Sequence, residues 1–409
     1  MITFVDYQYK GIGGVGQLVV NSTLELNRRG KRTKLYCSTE SYEYIRLCEC
    51  KADFVFIDSD NVSLKKLNNY ITHEDIIILT KVNDSPLLEA IKKKNNKLLF
   101  YSVHPDTFFG YLPQMKYFCN PRKAALNLVE VLNDHDCLYF MDWPNVKGVY
   151  DRGGKTMEKI RYLPIPVMSY SNKYRNNKPS SIFNITYIGR GNDKWKVFPV
   201  IKILEDLNKL KKEIQLTIIT DSNTLFKQMI NEFVLNNNII IHFINNIYGE
   251  KLEQYLLENS TLHISMGTSA LEGAKLGIPT IVIDYSKQKF PDYYLYRWLY
   301  ECENYCLAGE IKDGILPYST GRNLGDIIDL ISTEEGYTKE SLACRTYLNK
   351  NHSIQSFISN IEDACKITRM TSQDYCKTNF SRCKYRIEPF LISMAKVKQF
   401  VLGKKISKQ

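Results

Sequence analysis

Short β-branched and aromatic runs alternate along this chain with longer stretches whose apolar residues recur at three- and four-residue spacing. The first pattern predicts strands and the second amphipathic helices. In the first half, strands fall at 2–5, 34–37, 54–57, 76–80, 98–103 and 137–141, with helices over 17–29, 87–94 and 122–132. RYLPIPV at 161–167 reads as the last strand of this half, and the polar, breaker-rich stretch 169–181 as a linker. The pattern then restarts, with strands at 183–188, 216–220 and 239–243 and helices over 198–210, 225–235 and 251–258. A closing helix is expected near 353–369. Alternation of this kind predicts an α/β protein with parallel sheets covered on both faces. A chain of 409 residues suits two such domains of about 170 residues each better than one core.

The stretch 265–284, SMGTSALEGAKLGIPTIVID, reads as a small-residue turn, a short helix, a Gly-Ile-Pro corner and a buried strand. Gly267, Thr268 and Ser269 bring backbone N–H groups and two hydroxyls to a helix start, which suits an anion. Glu272 is the carboxylate on that helix. Gly277 fits the position just past a helix end, Pro279 blocks continuation, and the β-branched run 280–283 suits an interior parallel strand.

Three further loops carry candidate chemistry. GIGGVG at 11–16 opens the first helix, and its Gly13 and Gly14 let backbone approach a phosphate or sugar. It satisfies the dinucleotide pattern GxGxxG, yet residues 6–10 separate it from the strand. The second strand also ends in Cys37-Ser38, where an acidic residue for a ribose is wanted. After the strand at 183–188 comes IGRGNDKWK. Arg190 supplies a planar donor fork and Lys194 or Lys196 a point charge, with Lys196 preferred, a set suited to a diphosphate leaving group. In YSVHPD, His104 and Asp106 follow the strand at 98–103, at the end where α/β proteins place their sites; either can serve as a general base. Asp142-Trp143-Pro144-Asn145 is read as another loop on that rim, with Trp143 there to pack or to stack on a sugar.

Composition narrows the class. The apolar share of 44% and charged share of 24% are globular values. No apolar run reaches membrane-spanning length, and the N-terminus lacks the regions of a signal peptide. Eleven cysteines at irregular spacings and six scattered histidines suggest neither a disulfide framework nor a metal site, and fit a reduced cytoplasmic setting. Of the net charge of +11, residues 366–409 hold eleven basic residues against two acidic ones, which leaves the rest of the chain near neutral. From Phe390 the tail has apolar residues at helical spacing among lysines, so 384–409 can lie on an anionic membrane surface or pack on the protein. Stacking aromatics are not interleaved with the charge, which argues against nucleic acid.

These motifs together resemble the GT-B glycosyltransferases, in particular the retaining type that builds bacterial surface polysaccharides. The resemblance implies two Rossmann-like domains facing a cleft: 1–168 on the acceptor side, 182–350 for the nucleotide-sugar, a crossing helix region over 351–370 and a tail over 371–409. It implies sugar transfer from a nucleotide-sugar to a glycan or lipid-linked acceptor, at the inner face of the cytoplasmic membrane. Gly13, Gly14, Lys194, Gly267, Thr268, Ser269 and Glu272 would hold the donor, Arg190 and Lys196 the diphosphate, and His104 the donor sugar. No metal or other cofactor is then required, and Asp58-Ser59-Asp60 is read as a polar loop rather than a metal motif. One departure stands out: the second acidic residue common in such enzymes, eight positions before Glu272, is Ile264 here. A nucleotide-sugar epimerase-like enzyme and an inactive GT-B-like binding protein share the same plan, and an NAD oxidoreductase fits it least.

Overall fold

The computed structural model describes residues 1–6, 14–37, 53–56, 69–81, 85–110, 120–168, 174–175, 182–191 and 193–383. The chain divides into two compact units, Met1–Pro164 with Phe357–Gln409, and Ile165–Ser356.

In unit 1, strands β1 (Ile2–Asp6), β2 (Thr33–Cys37), β3 (Asp53–Phe56), β4 (Ile76–Leu79), β5 (Leu98–Ser102) and β6 (Leu138–Phe140) form a sheet in the order β3-β2-β1-β4-β5-β6. Every pairing is parallel. Helices Gly14–Arg28, Ser85–Ile91 and Pro121–Asp134 lie between the strands, and helix Trp143–Gly153 follows the last of them. The helix at Pro121 starts where its residues dictate: Asn120 accepts the Lys123 N–H at 3.0 Å, and Pro121 has no N–H to leave unpaired. Ile77, Leu79, Leu98, Phe100 and Phe140 pack against Leu87, Ile91, Leu128 and Leu132 from the helices.

Unit 1 resumes at Phe357, inside helix Ile354–Ile367. The Thr368 hydroxyl donates to the Leu98 carbonyl at 2.6 Å, and the Leu98 N–H donates to the Met370 carbonyl at 2.9 Å. Helices Ser372–Lys377 and Asn379–Arg382 then deliver Tyr375 and Phe380 to the same core, where Tyr375 stacks on Phe100 with centroids 5.5 Å apart. Residues 371–383, grouped with the basic tail by charge, are therefore part of the folded unit. Two other expectations are corrected. The run 161–167 makes only isolated bridges, Phe140 with Tyr162 and Val167 with Ser353, because Pro164 and Pro166 cannot donate to a ladder. Asp142 is not in a loop but caps helix Trp143–Gly153, accepting the Asn145 N–H at 3.1 Å.

In unit 2, β7 (Phe183–Ile188), β8 (Ile214–Thr220), β9 (Ile239–Asn245), β10 (Leu262–Ser265) and β11 (Thr280–Val282) are parallel. Residues Tyr285–Ser286 form β12. The antiparallel edge strand β13 (Arg297–Trp298) completes the order β13-β11-β10-β7-β8-β9, and β12 pairs with β14 (Glu310–Ile311). Helices Lys194–Leu207, Thr224–Asn231, Gly249–Asn259 and Ala270–Ala274 are the crossovers. Helix Lys194–Leu207 begins four residues before the expected start, because it tolerates Pro199 inside. Helix Glu334–Asn351 was not foreseen, although its Thr333 cap and paired glutamates are a start signal; its buried face mixes Tyr337, Cys344 and Leu348 with Glu340 and Ser341.

Candidate functional site

In unit 2 the chain order of the strands reverses between β7 and β10, which lie side by side. Doubly wound sheets bind ligands at the carboxyl ends of such strands. The Ser265 hydroxyl donates to the Ile188 carbonyl at 2.6 Å and ties these two ends together. One strand delivers the Gly189-Arg190-Gly191 loop and the other the Gly267–Ser269 turn.

Sterics fix the first loop. A Cβ on Gly189 would lie 2.7 Å from the Tyr187 ring, and one on Gly191 would overlap the Ser222 carbonyl oxygen. The Gly191 N–H donates to the Asp221 carboxylate at 2.9 Å. Burial acts to raise the Asp221 pKa, but this bond and the Thr220 hydroxyl bring it below the usual range. Arg190 is exposed, and Lys196 is half-buried in the first turn of its helix, whose backbone is held by the Tyr187 hydroxyl donating to the Lys196 carbonyl at 3.0 Å. The Lys196 ammonium lies 4.8 Å from the Trp195 ring centroid. Burial first, and the Arg190 charge second, pull its pKa down to about 8; Asp193 and Asp221 oppose this only in part. Lys194 is exposed at the helix start. Among the described residues, neither Arg190 nor Lys196 makes an ion pair. Two cations that repel each other at a strand end are a candidate anion site.

The second element is a 3-10 turn, Gly267–Ser269, that runs into helix Ala270–Ala274. Its donors are fewer than the sequence suggests, since the Gly267 N–H is bonded to the Leu307 carbonyl at 3.0 Å. Thr268 is exposed and Ser269 partly so. The helix ends in a Schellman arrangement: Gly277 has φ +72°, its N–H reaches the Ala274 carbonyl, and the Ile278 N–H reaches Gly273. Glu272 is partly exposed and bonds Lys275 at 2.6 Å. Lys275 is buried, and it also bonds the buried Glu253 at 2.9 Å and the Met168 carbonyl at 3.2 Å. Burial acts to lower the Lys275 pKa, but Glu272 and Glu253 hold it above the usual range. Sequence reasoning missed Lys275, Asp221 and the buried His263 beneath the turn; an i, i+3 Glu-Lys spacing was the one local sign of the first.

In unit 1, His104 follows β5 and is largely exposed. Its Nδ1 accepts the Asp106 N–H at 3.1 Å, so in the neutral ring the proton sits on Nε2, pointing away as a donor. Burial and then Arg152 lower its pKa and keep it neutral. Asp106 is paired with Arg152. Gly148 makes that pairing possible by letting helix Trp143–Gly153 pass close to the His104 loop; a Cβ there would lie 2.5 Å from the Pro105 carbonyl oxygen. This arrangement suits His104 as a hydrogen-bond donor better than as a base, and it occupies Asp106. Trp143 packs edge-on against Tyr150 with centroids 5.6 Å apart. Gly14 is the first residue of its helix. Gly13, Asp58, Asp60 and the tail 384–409 lie outside the described residues. Among the described residues, no cluster of His, Cys, Asp or Glu can hold a metal, and no helix is long and apolar enough to cross a membrane.

Two sheets of the same strand order, parallel but for the edge strand β13, in two units with the last helices returned to the first, are the GT-B fold. Solved glycosyltransferase structures share it. A glycosyltransferase from Rickettsia africae covers 90% of this chain and 98% of its own at 15% identity, with a TM-score of 0.60. Anabaena HepE in complex with UDP and glucose covers 89% and 99% at 11% identity, TM-score 0.55. The lipopolysaccharide outer core galactosyltransferase WaaB covers 89% and 98% at 16% identity, TM-score 0.53. No protein-family model and no curated protein sequence matches the chain.

Proposed function

We propose that this protein is a glycosyltransferase that moves a sugar from a nucleotide-sugar to a glycan or lipid-linked acceptor in surface-polysaccharide assembly. The observation that carries the reading is the Arg190–Lys196 pair at the switch point of unit 2, two cations near enough for one to disfavour the charge of the other and without a described counter-ion. A nucleoside diphosphate supplies that counter-ion. Its charge grows as the glycosidic bond breaks, so fixed cations stabilise the transition state more than the ground state. Thr268, Ser269 and Glu272 would hold the nucleotide and its sugar, Lys194 would add charge at the rim, and the Gly13-Gly14 loop would cover the sugar. His104, as an Nε2–H donor, would bond a sugar hydroxyl. These residues require no metal ion. The UDP and glucose bound to HepE and the lipopolysaccharide role of WaaB support the donor and acceptor classes. The tail 384–409 would hold the enzyme on an anionic cytoplasmic membrane face.

The test is a thermal-shift panel of UDP, GDP, CMP, dTDP, their sugars and NAD(H). A shift with one nucleoside diphosphate, abolished in Arg190→Ala, is expected, followed by release of that diphosphate from its sugar conjugate. A shift with NAD(H) alone refutes the reading, and silence across the panel favours an inactive scaffold.

A further inference from the structure

Beneath the Gly267–Ser269 turn lies a line of buried polar side chains that the proposed donor chemistry does not use. His263 on β10 is fully buried opposite its register partner Thr186 on β7. Its Nδ1 is 3.0 Å from the Thr186 hydroxyl, and that hydroxyl is 2.7 Å from the Ser260 hydroxyl. Its Nε2 is 2.8 Å from the Ser269 carbonyl oxygen. His263, Thr186 and Ser260 are all buried completely.

Hydrogen-bond polarity settles where the protons are. A carbonyl oxygen only accepts, so Nε2 must carry a proton. Burial drives the ring pKa down to about 4, so the ring is neutral and Nδ1 must accept. Thr186 therefore donates to Nδ1. Having used its only proton there, it accepts from Ser260, whose alternative acceptor, the Leu262 carbonyl, is more distant at 3.3 Å. The line has one consistent direction, from Ser260 through Thr186 and His263 to Ser269. Gly273 makes room for the ring: a Cβ there would lie 2.5 Å from the His263 Cβ.

The turn is thus pinned at both ends, by Leu307 on the Gly267 N–H and by His263 on the Ser269 carbonyl. With both ends fixed inward, the residue between them, Thr268, is the exposed one. We propose that His263 is a positioning residue for the donor nucleotide, its Nε2–H holding the Ser269 peptide so that Thr268 and Ser269 are presented to the ligand. This rests on the donor-site reading above. A buried histidine merely filling the core would need neither a fixed tautomer nor a bond to the turn.

Two measurements test it. Nitrogen-15 imidazole spectra at pH 7, assigned with His263→Gln, should show a neutral ring protonated on Nε2; a charged ring or an Nδ1–H tautomer overturns the inference. The second is UDP affinity by calorimetry, with GDP, CDP and dTDP in reserve. A glutamine amide nitrogen sits near the position of Nε2, whereas an asparagine reaches only that of Nδ1. His263→Asn should weaken binding about tenfold or more, the loss of one buried hydrogen bond. His263→Gln should return to within about threefold of wild type. Equal losses in both variants, each shown folded by its melting transition, overturn the inference alone. Absence of wild-type binding to all four diphosphates overturns the donor-site reading and this one with it.

Discussion

Lys196 should make nucleoside diphosphate binding pH-dependent in a window where the ligand's phosphates no longer titrate. In the free protein its pKa is lowered to about 8 by burial and by Arg190. Bound diphosphate reverses the sign of the local field and returns the ammonium to its ordinary range near 10.5 or above. Binding then takes up a proton between pH 8 and 10. Affinity should be flat below pH 7.5, fall about tenfold by pH 9, and keep falling about tenfold per further unit. The same shift works on stability with a definite sign. Between pH 8 and 10.5 the unfolded chain holds the Lys196 proton and the folded one does not, so stability rises with pH across that window. At face value the effect is about 3 kcal/mol; screening of this half-buried group reduces it to roughly 1–2 kcal/mol. The assay is calorimetry at pH 8.5 in two buffers of different ionisation enthalpy, which counts protons taken up directly. Lys196→Met should abolish the uptake, and Arg190→Ala should move the window upward. Wild-type affinity that stays constant from pH 7 to 9.5, or uptake that survives in Lys196→Met, would refute the reasoning.

Gly191→Ala places a methyl group on the Ser222 carbonyl, so chemical denaturation should show a loss of about 1–3 kcal/mol or more, together with loss of the nucleotide-dependent thermal shift. Lys275→Met removes the cation shared by Glu253 and Glu272, and should cost about 3–5 kcal/mol at pH 8 in urea unfolding. Adding Glu253→Gln should recover part of the cost. Arg152→Ala removes one of the two influences that lower the His104 pKa and frees the Asp106 carboxylate beside it, so a proton NMR titration should show His104 moving upward. No movement would mean that burial alone sets it.

The sequence by itself determined the α/β class, the alternation of strands and helices along the chain and the candidate loops at the strand ends. Strand-length β-branched runs between amphipathic helices admit little else, and the glycines at 189, 191 and 277 mark close approaches and a left-handed corner that few other residues tolerate. It also marked Arg190, Lys196 and the 267–269 turn, because basic and hydroxyl residues directly after a strand lie at its carboxyl end in any parallel sheet. Only the tertiary structure put these elements on adjacent strands, since β7 and β10 are neighbours although some seventy residues separate them. It also decided the partners. Local spacing carries no sign that His263 spans from Thr186 to Ser269, that Lys275 bridges to Glu253, that Arg152 occupies Asp106, or that Leu307 takes the Gly267 N–H. Each is a contact across strands, helices or loops, set by packing of the whole unit. The misread segments have the same origin. The 161–167 run has strand-like residues but proline-broken hydrogen bonding, and 371–383 has a tail-like charge but apolar residues whose place in the core appears only once the chain has folded back.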